Sequence, residues 1–176
     1  MPCLLPLVLS SGAWAAAPSQ PGHWQTRQMR FDYLGAASGV AYSCEGLREM
    51  ATLLLKSLGG VRSLQIEPGN CIPNFSTPSR FPYLTLKFEA FEPLAAGAAD
   101  ADATGSADGE WKHILWAPHH PFPLGTGDCE LVDEFRLKVL PSFAVRDLQP
   151  QLHCEPFQGM QWTMAFEVFA PAAVRG

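Results

Sequence analysis

The chain has no excess of basic residues, no paired-cysteine redox motif and no apolar run long enough to cross a membrane. Each absence removes a class of function. Lys and Arg number 12 against 17 Asp and Glu, so the net charge is -5, and the pI is near 5.5. Nucleic acid as a main partner would need a basic face, which this balance argues against. None of the 5 cysteines sits in a C-x-x-C pair, so a thioredoxin-like redox site is disfavoured. The cysteine spacings also miss the paired knuckles of a structural zinc site. No G-x-S-x-G, H-E-x-x-H or phosphate-cradling glycine loop occurs. What remains is the composition of a folded domain: 47% hydrophobic and 16% charged residues over 176 positions, enough for one compact domain or two very small ones.

The first fifteen residues read as an export signal. Leu4 to Leu9 is apolar apart from Pro6, Ser10, Ser11 and Gly12 follow, and Ala13-Trp14-Ala15 places small residues where a signal peptidase reads them. Cleavage is expected before Ala16. The apolar run is far short of the roughly 20 residues that span a bilayer. Met1-Pro2-Cys3 lacks the usual Lys or Arg, and Cys3 precedes the apolar run, so it is no lipoprotein anchor. Without Cys3 the mature chain keeps Cys44, Cys71, Cys129 and Cys154. An even count in an exported chain implies two disulfides, and the expected location is periplasmic or secreted.

The chain reads as an internal duplication. With Cys44 set on Cys129, Glu45 meets Glu130, Leu47 meets Val132 and Met50 meets Phe135. After a one-residue gap, Val61-Arg62-Ser63-Leu64-Gln65 meets Val145-Arg146-Asp147-Leu148-Gln149. The second cysteines follow. Then Thr85-Leu86-Lys87-Phe88-Glu89-Ala90-Phe91 meets Thr163-Met164-Ala165-Phe166-Glu167-Val168-Phe169.

In the first half Leu47, Met50, Ala51, Leu54 and Leu58 recur at helical spacing, with Ser43 as N-cap and Gly59-Gly60 as terminator. In the second half Asp128 is the expected cap, Val132, Phe135, Val139 and Phe143 make the stripe, and Pro141 should end or kink the helix. Alternating strands follow each helix. A further strand is expected before each one, at Gln28 to Leu34 and at Trp111 to Ala117. The unit is thus β-α-β-β, repeated over about 25–93 and 110–171. The fold class is α+β, a mainly antiparallel sheet with both helices on one face. The Ala/Gly/Asp-rich stretch 94–109 reads as a mobile joining loop.

The same layout selects the disulfides. A helix over 44–58 rises about 22 Å. A strand over 61–67 returns about 23 Å, bringing Cys71 back to the level of Cys44. Cys129 and Cys154 stand in the same relation, so the expected pairs are Cys44–Cys71 and Cys129–Cys154.

Candidate chemistry is sparse. Asp100-x-Asp102-x-Thr104-Gly105 starts like a calcium loop, but Trp111 stands where a bidentate Glu is required. His119 and His120, with His113 and His153 as further ligands, offer copper or zinc a surface site, yet adjacent imidazoles diverge on an extended backbone. Glu45 with Glu130, and Glu89 with Glu167, are formal acid-base pairs. The first pair also suits helix N-termini and the second the polar face of strands. Arg62 and Arg146 are expected to pair with acidic neighbours or to form a symmetric patch.

Tyr33-Leu34-Gly35, Tyr42-Ser43-Cys44, Gly127-Asp128-Cys129-Glu130-Leu131 and Val139-Leu140-Pro141-x-Phe143 resemble small exported proteobacterial proteins of unknown function. That resemblance implies secretion and paired cysteines and carries over no active-site residue. The leading expectation is a non-catalytic binding or interaction module for a protein or envelope component, with no cofactor and no transmembrane segment. Metal binding through His119 and His120, and an unrecognised hydrolase, are the alternatives.

Overall fold

A computed structural model describes residues 19–34, 41–71, 81–95, 106–154 and 161–173. The elements run β1 (Gln20–Asp32), α1 (Cys44–Ser57), β2 (Val61–Gly69), β3 (Tyr83–Pro93), β4 (Ala107–Trp116), α2 (Cys129–Lys138), β5 (Val145–Leu152) and β6 (Trp162–Pro171). The strands form one six-stranded sheet in the order β2-β3-β1-β4-β6-β5, antiparallel throughout. The fold is α+β. The export segment with Cys3 and the cleavage point before Ala16, and the calcium-like Asp100 to Gly105, lie outside the described residues.

Strand alternation builds the core. Leu84, Leu86 and Phe88 of β3 and Met164, Phe166 and Val168 of β6 point to the side where Leu47 and Leu54 of α1 and Val132 and Phe135 of α2 are buried. Phe31 and Trp116 both meet the edge of the Phe135 ring, and Phe88 stacks on Phe143 at 5.3 Å, so the halves share one core. Among the described residues no helix is long and apolar enough to cross a membrane.

The first strand of each half departs from expectation. They are Gln20–Asp32 and Ala107–Trp116, several residues earlier than Gln28–Leu34 and Trp111–Ala117. Their opening residues, Gln20-Pro21-Gly22-His23 and Ala107-Asp108-Gly109-Glu110, hold no large apolar side chain, so apolar alternation does not mark their starts. Ala107 to Gly109, expected in the joining stretch, belong instead to β4, where Ala107 pairs with Gly22. β1 and β4 share just three residue pairs, centred on Pro21 and Asp108. Around that centre the contacts recur. Leu94 N–H donates to Pro21 O and Ala172 N–H to Asp108 O, while Phe91 N–H donates to Gly60 O and Phe169 N–H to Ala144 O.

The apolar spacing of three and then two in Val61, Leu64, Ile66 has a physical cause. The register slips between Arg62 and Gln65, with Ser63 in a left-handed conformation (φ 54°), and again between Arg146 and Gln149, with Asp147 at φ 53°. One extra residue at each bulge restores the inward face.

Ser43 caps α1, its hydroxyl accepting from Gly46 N–H at 3.1 Å. Ser43→Ala is expected to cost about 1 kcal/mol in urea unfolding. Asp128 does not cap α2 in that way. It ends a 3-10 turn, Thr126–Asp128, and its carboxylate turns back to Gly125 N–H at 2.6 Å. Pro141 sits in a second 3-10 turn after α2 has ended at Lys138, and Val139 and Phe143 are buried from that turn rather than from helix.

Candidate functional site

The sheet face away from the helices carries a continuous row of rings. Gly22 and Gly109 leave room there. A β-carbon on Gly22 would stand 2.5 Å from the Phe91 ring, and one on Gly109 would stand 2.3 Å from the Phe169 ring. In this cradle Phe91 and Phe169 stack at 5.5 Å with planes 7° apart, both fully buried. Trp24 flanks Phe91 at 5.0 Å and Trp111 flanks Phe169 at 5.5 Å. A guanidinium covers each indole: Arg62 over Trp24 at 4.3 Å, Arg146 over Trp111 at 4.2 Å. Glu89 and Glu167 hold the two arginines from β3 and β6. Hydrogen bonds from Arg62 and from the Ser63 hydroxyl keep the Glu89 carboxyl below its ordinary range.

A second feature lies at the end of the sheet near Cys44 and Cys71. A cleft of about 310 Å³ is lined by Arg30, Asp32, Leu34, Asn70, Phe81 and Tyr83, among others. Leu34 is 56% and Phe81 55% exposed, high values for such large apolar side chains. Arg30 stacks on the Tyr83 ring at 3.7 Å and pairs with Asp32 at 2.7 Å. Asn70 and Phe81 are both left-handed (φ 55° and 60°), and the Asn70 amide donates to the Phe81 carbonyl at 3.0 Å. For Phe this conformation costs on the order of 1 kcal/mol, so the fold holds the Phe81 backbone against a local preference. The cleft borders the contact between halves: Leu34 N–H donates to Glu134 at 3.1 Å and Lys138 donates to Asp32 O.

A buried polar latch also joins the halves. The Tyr42 hydroxyl donates to the Asp128 carboxylate, and Asp128 is only 9% exposed. Burial first, then the Asp128 bond and charge, push the Tyr42 phenol far above its ordinary value. A raised folded-state value means the contribution is intact below the unfolded-state pKa of about 10 and is lost as pH rises beyond it. Wild-type stability should therefore fall more steeply above about pH 10 than that of Tyr42→Phe, whose hydroxyl is gone. Urea midpoints of both proteins across that range check this.

No family model, curated protein or solved structure matches this chain. Its chemistry therefore rests on the geometry alone.

The remaining sequence candidates are not brought together. Among the described residues no group of three or more His, Cys, Asp and Glu is placed to hold a metal ion. His119 and His120 sit in a tight turn closed by an Ala117–His120 bridge, His113 is on β4, and His153 follows β5. Glu45 pairs with Arg48 on its own helix, and Glu130 lies in the first turn of α2. Glu89 and Glu167 are each engaged by an arginine. Sequence reasoning overlooked Trp24, Trp111 and their glycines. The signal was present as Gly22-His23-Trp24 and Gly109-Glu110-Trp111, the same G-x-W opening two corresponding strands.

Disulfides Cys44–Cys71 and Cys129–Cys154, with α-carbons 5.9 and 5.4 Å apart, bind the first residue of each helix to the chain just beyond the following strand.

Proposed function

We propose that this protein is an exported, non-catalytic interaction module, periplasmic or secreted, built from a duplicated β-α-β-β unit. It contacts a protein of the cell envelope through the Phe81–Leu34 cleft. The observation that carries the reading is the exposure of Leu34 and Phe81 around a small cleft whose charged groups, Arg30 and Asp32, are about half exposed. Apolar anchors within a polar rim are the anatomy of a protein contact. Two disulfides and the N-terminal pattern support export. Mass spectrometry of protein from the producing cells should then find an N-terminus at Ala16 or within a few residues. Intact Met1 on cytosolic material would overturn the location.

The cleft is tested with a photo-crosslinking phenylalanine analogue at position 81, and at exposed Leu137 on α2 as control. Adducts specific to position 81, and lost with Leu34→Ala or Arg30→Ala, are expected. Identical adducts from both positions would remove the cleft as the contact. Phe81→Gly separates function from stability. It removes the ring but suits the left-handed backbone, so stability should change by no more than about 1 kcal/mol while the contact is lost.

A further inference from the structure

We infer that the groove between α1 and the edge strand β2 docks an extended peptide segment of a partner, which adds to β2 as a further strand. This site is separate from the Phe81–Leu34 cleft. The groove holds about 550 Å³ and is floored by Leu53 of α1 and by Leu64 and Ile66 of β2, all half-buried. α1 packs more closely on β2 than on β3, so the helix stands beside a sheet edge. A helix alongside an edge strand, with an apolar floor between them, is the geometry of strand addition.

The edge selects an extended chain. Among the described residues β2 pairs only with β3, so alternate residues turn an N–H and a C=O outward with no backbone partner. The usable stretch is short. The bulge between Arg62 and Gln65 bends the edge at one end, and Pro68, which has no N–H, stops it at the other. Leu64 to Glu67 admits a peptide, and the bend and the proline interrupt the straight edge on which a second sheet would pair.

Charge fixes the chemistry of the occupant. Glu45 is paired with Arg48, but among the described residues neither Glu49 nor Lys56 has an ion-pair partner, and both are exposed on the rim. The Cys44–Cys71 bridge returns the end of β2 to the start of α1, so Glu49 lies towards Glu67 and Lys56 towards Leu64. A peptide antiparallel to β2, the more stable pairing, enters past Glu49 and leaves past Lys56. It carries a base, an apolar residue and an acid, in that order, at alternate positions. Glu49 and Lys56 stand about 10 Å apart along the helix axis. Alternate residues of an extended chain are about 6.6 Å apart, so the outer two span about 13 Å and their flexible ends close the difference.

The second half is built differently at the corresponding positions. Lys138 stands in place of Leu53 and donates to Glu134 and to Asp32 O, and Pro150 stands in place of Ile66 on β5. The β5 edge is therefore an internal control.

The probe is a capped peptide of threonine, lysine, threonine, valine, threonine, aspartate and threonine, titrated to about 2 mM into the oxidised, isotope-labelled protein to cover weak binding. Saturable amide shifts are expected along Leu64 to Glu67 and Glu49 to Lys56, with Leu148, Gln149 and Gln151 unmoved. Exchanging the lysine and the aspartate of the peptide should weaken binding about fivefold, since two exposed attractions become repulsions. Glu49→Lys with Lys56→Glu, both at exposed positions, should reverse that preference. Methylating the valine amide, or instead the two threonine amides beside it, should abolish binding in one case and spare it in the other, because successive amides of an extended chain point to opposite sides. No saturable shift, shifts centred elsewhere, or a preference unmoved by the double reversal would overturn the inference. So would β2 shifts that follow protein concentration without peptide, which would put a second copy on that edge. Crosslinking at position 81 reads the cleft separately, so failure of one leaves the other standing.

Discussion

Loss of either disulfide is expected to cost about 3.5 kcal/mol, and loss of both to abolish folding at physiological temperature. The bridges close loops with sequence separations of 27 and 25. Loop-closure entropy assigns roughly 3.5 kcal/mol to each loop of that length, through restriction of the unfolded chain. A domain of this size has only about 5–15 kcal/mol in total, so two such losses take most or all of it. The sites add to the cost, because Cys44 and Cys129 are buried at the first position of each helix. Cys44→Ser/Cys71→Ser and Cys129→Ser/Cys154→Ser should each lower the urea midpoint substantially, and the quadruple variant should lose its near-ultraviolet circular dichroism. Each single Cys→Ser should expose its own partner as the one reactive thiol. A midpoint shift under about 1 kcal/mol for either pair would show that the native packing, not the loop constraint, holds that half.

The second large effect is at the glycine cradle. Gly109→Ala should destabilise by about 2–3 kcal/mol, although it adds one methyl group to a strand where alanine is otherwise acceptable. That methyl would stand 2.3 Å from the Phe169 ring and 2.7 Å from the Phe91 ring. Neither ring has free space to move into, since they stack on each other, lie against Trp24 and Trp111 and are fully buried. Gly22→Ala meets the same two rings, at 2.5 and 2.7 Å, and should behave alike. The seam is vulnerable because β1 and β4 share only three residue pairs there. Phe169→Leu should partly rescue Gly109→Ala, and a double-mutant cycle measures that coupling. Additive losses with no rescue would mean the strain lies in the backbone rather than in the rings.

Much of the layout was legible because the sequence states it locally. Leu47, Met50, Leu54 and Leu58 at helical spacing, Ser43 ahead of them and Gly59-Gly60 behind announce α1, and the alternation of Leu84, Leu86 and Phe88 announces β3. These are short-range patterns written in burial and backbone conformation, and they led to the α+β class. The even set of cysteines in corresponding positions made disulfide bonding legible as well. β1 and β4 were misplaced because their first residues bury almost nothing towards the helices. Gly22 and Gly109 matter for the side chains they lack, and pattern reading gives no weight to an absent side chain.

The sequence by itself determined the two helices and the strands after each, the antiparallel α+β class and the disulfide bonding of its cysteines, since each follows from periodicity and spacing along the chain. Only the tertiary structure decided that Phe91 and Phe169 meet over two glycines, that Arg62 and Arg146 cover Trp24 and Trp111, and that Tyr42 closes on Asp128. It also decided that Phe81 and Leu34 stand exposed beside Arg30. The physical reason is range. Phe91 and Phe169 lie 78 apart, and matching positions in two similar segments do not say that the two side chains touch. Their contact exists only once β1 and β4 have paired and both sheet faces are in place.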